Sequence, residues 1–329
     1  MNIAKIKKQV SDFYVEHKKS IGYTGVVIIV ALIICVYFST SPTDYPRGTI
    51  VRITKDMSVT GAANLLKEKG IIRSTLVYKI YVVLLHDGKG VQEGSYLFAD
   101  PQSALRIAYR TAYGQKDMEK IKLTFIEGHS SMELASLLAK NIPGFDAKSF
   151  SVQAQKYEGY LFPETYFVDI DTQPSEIISM MREQFEEAVK PLVQEFATST
   201  RSMKDIITMA SIIEKEAGNK TDRRIISGIL WKRIDEGMHL QVDVPFYYVM
   251  DIAEGGPTLK DLATESPYNT YINKGLPPGP ITNPGLDSIR AALNPTPSEY
   301  YFYLADSNGV THYAKTHDGH LANRVKYLQ

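Results

Sequence analysis

Residues Ser202 to Gly218, SMKDIITMASIIEKEAG, decide how the second half of this 329-residue chain folds. Ser202 followed by Asp205 is a helix-start pattern, and Gly218 is a suitable stop. Between them Met203, Ile206, Ile207, Met209, Ala210, Ile212 and Ile213 recur at helical spacing, so the segment reads as one helix with a broad apolar stripe. At about 100° per residue, Lys215 points away from that stripe, and Glu214 and Glu216 fall on its opposite flanks, about 160° apart. Two carboxylates so placed cannot both face one scissile bond. Glu216 falls in angle between Ile212 and Met209 and lies in the last turn, where the negative end of the helix dipole disfavours a carboxylate. Glu214, between Met203 and Ile207, has a similar flank position further from the end. A raised pKa in either would suit a general acid. Periodicity alone leaves both open, and leaves open that both pair with Lys220, Arg223 or Arg224 as ordinary boundary residues.

Downstream, Thr221-Asp222 reads as the cap of a second helix, whose Ile225, Ile226, Ile229, Leu230 and Ile234 form a core stripe ending before Gly237. Gln241 and Asp243 come next, and then SPYNTY supplies Tyr268, Asn269 and Tyr271. Amides, hydroxyls and flat rings are the groups that bind sugars. GLPPGPI at Gly275 to Ile281 and the Asn283-Pro284-Gly285 turn fix the backbone over many residues, as a preorganised groove or as a rigid surface loop. Upstream, EGYLFPETY at Glu158 to Tyr166 reads as a groove wall or as a packed turn with two surface glutamates; packing is favoured for Tyr160, Phe162 and Pro163.

Near the N-terminus, Ile21 to Phe38 carries no charge and is just long enough to cross a hydrocarbon core of about 30 Å. Lys5, Lys7, Lys8, Lys18 and Lys19 precede it, which keeps residues 1–20 cytoplasmic and exports the chain beyond Phe38. The chain is therefore expected to be a single-pass protein of the inner (cytoplasmic) membrane, with residues 39–47 as linker. A cleaved signal peptide is disfavoured by Ser39-Thr40-Ser41-Pro42, a poor cleavage site. The 37 basic and 37 acidic residues cancel, which gives no support for nucleic-acid binding. Cys35 is the only cysteine and lies in the apolar run, so the exported part folds without an internal disulfide. The histidines show no metal-ligand spacing, and no GxSxG, SxxK, Walker or dinucleotide motif occurs. No metal and no organic cofactor are expected.

The exported part reads as α+β. In residues 48–117, GTIVRIT alternates as a strand and Ser58 opens a helix closed by Gly70; then come a helix (Thr75 to Leu85), a strand (Gly94 to Phe98) and a helix (Ser103 to Tyr113). KIKLTFIEGHSSMELASLLAK then repeats the opening, with Ser130, Ala135, Leu137 and Leu138 where Ser58, Ala63, Leu65 and Leu66 stood. Residues 118–329 form a larger α+β domain, with strands near Ile121 to Phe125 and Tyr300 to Ala305.

Taken in order behind one anchor, EGYLFPETY, ASIIEKEAG, LQVD, SPYNTY and GLPPGPI resemble the YceG-like (MltG) endolytic murein transglycosylases. The resemblance covers roughly residues 118–329 and, more weakly, the preceding module. It implies a LysM-like module at 48–117 and a catalytic domain at 118–329 that cuts peptidoglycan between N-acetylmuramic acid and N-acetylglucosamine. It also implies that the second glutamate of EKE, Glu216, is the general acid/base. The muramic acid's own 6-hydroxyl then attacks C1 and leaves a 1,6-anhydro end. Gln241, Asp243, Tyr268, Asn269 and Tyr271 match positions lining that family's cleft, and with Glu214 they make the expected substrate-binding set. Implied partners are nascent glycan strands, the cytoplasmic membrane and proteins of wall synthesis. Two departures stand out: LQVDVPFYYV displaces Pro245 by one residue from the usual LQ-x-D-P-T, and the LysM-like module lacks a clear sugar-binding signature. One carboxylate in place of the usual two also sets the reaction apart from most glycosidases. The alternatives are a muramidase-like hydrolase and a non-catalytic, membrane-anchored peptidoglycan-binding scaffold.

Overall fold

The computed structural model describes residues 23–24, 26–86, 90–118, 120–250 and 257–328. The expected cytoplasmic segment lies outside the described residues, as do Ile21, Gly22 and Gly25 of the expected span. Helix α1 covers residues 26–39. Among the described residues no helix is long and apolar enough to cross a membrane. The chain divides into two compact units, Met1–Glu119 and Lys120–Gln329.

In the first unit β1 (Thr49–Ile53) pairs antiparallel with β2 (Gly94–Phe98), Thr49 opposite Phe98 and Ile53 opposite Gly94. Helices α2 (Val59–Glu68) and α3 (Thr75–His86) lie between them in sequence, and α4 (Ala104–Tyr113) comes after β2. Ser58 and Ser103 cap α2 and α4 through their hydroxyls, as short polar residues do where backbone N–H groups lack partners. Val51, Ile53, Leu66, Tyr78, Tyr96, Phe98 and Ile107 form the core. Arg110 is fully buried within this unit. Its guanidinium donates to the carbonyls of Leu97, Gln115 and Lys116 and meets Asp117 at 2.9 Å, which satisfies a charge that burial would otherwise make costly.

The second unit begins with β3 (Ile121–Thr124), paired antiparallel with β4 (Thr165–Val168) so that Leu123 faces Tyr166. Helices α5 (Ser131–Asn141), α6 (Ala147–Ala154) and α7 (Pro174–Val189) close over the hairpin around Leu134, Leu138, Phe150, Leu161, Ile177 and Met181. After α8 (Val193–Thr198) come α9 (Met203–Glu216) and α10 (Lys220–Asp235). The short α11 (Val244–Val249) and α12 (Leu259–Leu262) lead to α13 (Leu286–Leu293), the hairpin β5 (Phe302–Ala305)/β6 (Thr311–Ala314) and α14 (His317–Tyr327). Helix α9 packs against both α10 and α13. Trp231 on α10 donates to the carbonyl of Ala292 on α13 at 3.0 Å, and Gly228 lets the backbone of Thr296 approach so closely that a Cβ would sit 1.9 Å from its oxygen.

Two helix boundaries and one burial differ from the sequence reading. Helix α9 stops at Glu216 with Ala217 in extended conformation, so Gly218 plays no left-handed capping role. Helix α10 is capped by Asn219, whose side chain accepts from Asp222 N–H, rather than by Thr221-Asp222. Glu158 is buried, not a surface glutamate.

Glu158 belongs to a knot centred on Asn283. The Asn283 Oδ1 accepts from the N–H groups of Gly159 and Leu161, both at 2.9 Å. Its Nδ2 donates to Glu158 at 2.9 Å and to the His129 carbonyl at 3.0 Å. The other side of the Glu158 carboxylate takes the N–H and hydroxyl of Ser131, at the start of α5. Gly159, at φ +86°, lies so close to Pro280 that a Cβ would be 2.6 Å from its ring. The Pro-rich segment is thus a strap bolted across the EGYLF turn, and it continues onto α9 through Ile281 N–H to Ser211 Oγ at 3.1 Å. Asn283→Ala strips buried donors and acceptors in three segments at once. It is expected to cost about 2–4 kcal/mol, read as a fall of roughly 5–10 °C in the melting temperature of the second unit.

Candidate active site

Helix α9 delivers the site. Its stripe faces the core, and Glu216, its last residue, emerges at the C-terminal end where the helix dipole is negative. The Glu216 carboxylate accepts a 2.8 Å hydrogen bond from Tyr303 Oη on β5. Burial raises its pKa to about 7; the Tyr303 bond opposes that rise and the charge of Asp243 adds to it. A desolvated carboxyl of this kind is protonated near neutral pH and can give its proton away.

Asp243 stands at the start of α11 and accepts from Tyr271 Oη at 2.6 Å. Burial and the Asp243 carboxylate keep the Tyr271 phenol protonated. Gln241 precedes it with φ +49°, unusual for a residue with a Cβ, and its N–H donates to the Thr270 carbonyl. The hydroxyl of Thr270 bonds both the N–H and the carbonyl of Val242, stitching LQVD to SPYNTY. Pro245 sits in the first turn of α11, where a missing N–H costs nothing.

Glu216, Gln241, Asp243 and Tyr271 line one cleft of about 470 Å³ together with Arg233, Phe302, Tyr303, His317, His320 and Arg324. Other expected site residues are placed elsewhere. The Glu214 side chain is buried on the opposite flank of α9, paired with Arg223 at 2.6 Å and accepting from Gly285 N–H at 2.9 Å. Asn269 is wholly buried and holds its own loop, donating to the carbonyls of Leu262 and Thr264 and accepting from Tyr271 N–H. Tyr268 packs on Tyr248 with ring centroids 5.4 Å apart and does not line this cleft.

Sequence reasoning missed Tyr303, Arg233 and the α14 residues. The strand pattern around Tyr303 was visible, but nothing local says that a hairpin 87 positions beyond Glu216 returns to its carboxylate. Arg233 looks like a surface cation on a core helix. Its guanidinium instead donates to the carbonyls of Tyr301 and Leu240 and is buried. Among the described residues no group of three or more His, Cys, Asp or Glu is arranged to hold a metal ion. The chemistry this cleft offers is acid/base work by one carboxyl, beside a second carboxylate and several phenols.

Comparison with known proteins agrees in extent. The YceG-like family profile matches residues 51–326. A Bacillus subtilis (strain 168) protein named endolytic murein transglycosylase is 32% identical over 305 residues, covering 84% of each chain. A protein of the same name from Streptococcus pneumoniae serotype 2 (strain D39 / NCTC 7466) is 30% identical over 179 residues, covering 53% of this chain and 32% of its own length. A crystal structure of a YceG-like protein from Listeria monocytogenes superimposes with a TM-score of 0.57 at 28% identity, covering 84% of this chain and 99% of that one. On sequence and on fold, the chain belongs to the YceG-like family.

Proposed function

We propose that this protein is an endolytic murein transglycosylase that cuts peptidoglycan glycan strands with Glu216 as its only acid/base. The observation that carries this is a desolvated carboxyl with its pKa raised to about 7, lining an open cleft. The names of its relatives supply the substrate.

Glu216 in its acid form gives its proton to the glycosidic oxygen between C1 of N-acetylmuramic acid and O4 of N-acetylglucosamine, and the C1–O4 bond breaks. The resulting carboxylate then takes the proton of the muramic acid 6-hydroxyl as O6 bonds to C1. The products are a 1,6-anhydro end and a free 4-hydroxyl, no water is consumed, and Glu216 is again protonated. The Tyr303 phenol, held protonated by burial, stabilises the intermediate carboxylate by donating to it. Asp243 contributes negative charge beside a C1 centre that becomes cationic in the transition state. Gln241 and Tyr271 are assigned to hydroxyl and N-acetyl groups of the sugars. Glu214, Tyr268 and Asn269 act as supports: Glu214 anchors α9 to Arg223 and Gly285, and Tyr268 and Asn269 shape the loop that presents Tyr271.

We read residues 21–38 as a membrane anchor that holds the enzyme extracytoplasmically, with the first unit as a LysM-like module beside it. The described part of that segment has Val27, Ile29, Leu32, Ile33 and Val36 each more than half exposed, a surface that lipid covers at no cost and water does not.

Glu216→Gln is expected to lower cleavage of purified peptidoglycan at least about 10²-fold, and mass spectrometry should find anhydromuramyl ends from the unchanged enzyme alone. Reducing ends would move the reading to a hydrolase. The activity of the unchanged enzyme should fall as the pH rises through about 7, where the acid form is lost. Tyr303→Phe removes the bond that lowers the Glu216 pKa, so that limb of the pH–rate profile should move to higher pH. Stability has the same sign. Glu158 and Glu216 bind protons more tightly folded than unfolded, so their contribution is complete below about 4.5, their ordinary value, and is lost as the pH rises through about 7. Glu216→Gln should therefore melt at a higher temperature than the unchanged protein at pH 8, and the gap should close towards pH 5.

A further inference from the structure

Helix α3 has an outer face with nothing polar on it. Leu76, Ile80, Val83 and Leu84 are exposed at 63, 47, 56 and 73%, and helical spacing gathers them within an arc of about 100°. Tyr109 and Tyr113 of the neighbouring α4 are also exposed, at 36 and 49%, and Tyr113 Oη donates to the Leu85 carbonyl at 2.6 Å, which sets its ring against the end of α3. Neither α3 nor α4 contains an aspartate or glutamate, and the cations of this surface are Lys79 and Arg106, the latter 5.7 Å over the Tyr109 ring. Single exposed apolar residues are ordinary; a continuous group on one helix face marks a surface that is covered in use.

What covers it is indicated by the chain that leads into it. The end of α1 is fastened to the start and side of α3. Arg73 stacks 4.6 Å over the Tyr37 ring, donates to Tyr37 Oη at 3.0 Å and to the Ser41 carbonyl at 2.9 Å, and Ser39 Oγ and Tyr81 Oη lie 2.8 Å apart. If Phe38 ends a membrane span, these bonds hold the start of α3 at the depth where tyrosine and arginine prefer the headgroups. We infer that the α3 face, with Tyr109 and Tyr113 beside it, lies on the bilayer surface as a second, interfacial contact next to the anchor. An apolar face with tyrosines at its edge, a lysine and an arginine on its two helices and no carboxylate on either helix suits anionic lipid. This rests on the anchor reading. Its consequence is that the first unit is held against the bilayer by two contacts, instead of swinging on the linker.

The test uses the full-length chain in vesicles of phosphatidylethanolamine and phosphatidylglycerol, with bromines placed shallow in the acyl chains. A polarity-sensitive dye is attached to native Cys35 or, in a Cys35→Ser background, to Leu84→Cys or Lys69→Cys. Cys35 and Leu84→Cys should both be quenched by brominated lipid, the latter several-fold more than Lys69→Cys. Adding Leu76→Glu and Ile80→Glu should abolish quenching at position 84 without lowering the melting temperature, since both side chains are exposed. Quenching at Cys35 with position 84 no different from position 69 overturns this inference and leaves the anchor standing. No quenching at Cys35 removes the anchor reading itself. Shielding of position 84 from aqueous iodide in native membranes, without quenching in the vesicles, would assign the face to a protein partner and overturn the lipid assignment.

Discussion

Every residue of α9 from Ile206 to Ile213 is buried, and the rest of the second unit is arranged around that fact. A helix enclosed on all sides needs cover from several directions, and it gets it from α10, α13 and the Pro-rich strap. Its two enclosed hydroxyls are satisfied within the helix, Thr208 by the Lys204 carbonyl and Ser211 by that of Thr208. Ser211 then spends its remaining capacity accepting from the strap. A helix held this firmly has no freedom to rotate, so the direction of its last side chain is fixed. The reaction proposed for Glu216 depends on that precision of aim.

The two glutamates of EKE lie on one helix in different surroundings. Two positions apart, they project to opposite sides of α9. Glu214 meets Arg223 and a backbone N–H, and the partner charge makes its burial tolerable. Glu216 meets a phenol and, among the described residues, no cation at bonding distance, and burial raises its pKa. Identical side chains two positions apart thus have different partners, a guanidinium for one and a neutral donor for the other.

The two units bury charge for different ends. In the first, Arg110 is surrounded by carbonyls and Asp117, and it holds α4 to the loop after it. In the second, Arg233 donates to the carbonyls of Tyr301 and Leu240, lies 5.1 Å over the Phe302 ring, keeps its charge and lines the cleft. A cation there keeps the cleft from becoming uniformly negative around Glu216 and Asp243.

Much of this was legible in the sequence because it is local. Helical periodicity gave α9 and placed its glutamates on opposite flanks; the serines before α2, α4, α5 and α9 announced those helix starts; and alternation gave β1. All depend on interactions within a few residues, which any short window contains. What the sequence could not supply were partners far along the chain. Tyr303 meets Glu216, Asn283 gathers Glu158, Gly159 and His129, and α14 turns its histidines into the cleft, each across dozens of residues of chain. The same distance hid the hydrogen-bond partners of Asn269 and Glu214, whose residue types suit a sugar site equally well. A side chain's type is written in the sequence, but which neighbour claims its hydrogen bonds is settled only when remote segments pack together, and at Glu216 that packing sets both the pKa and the direction of the proton.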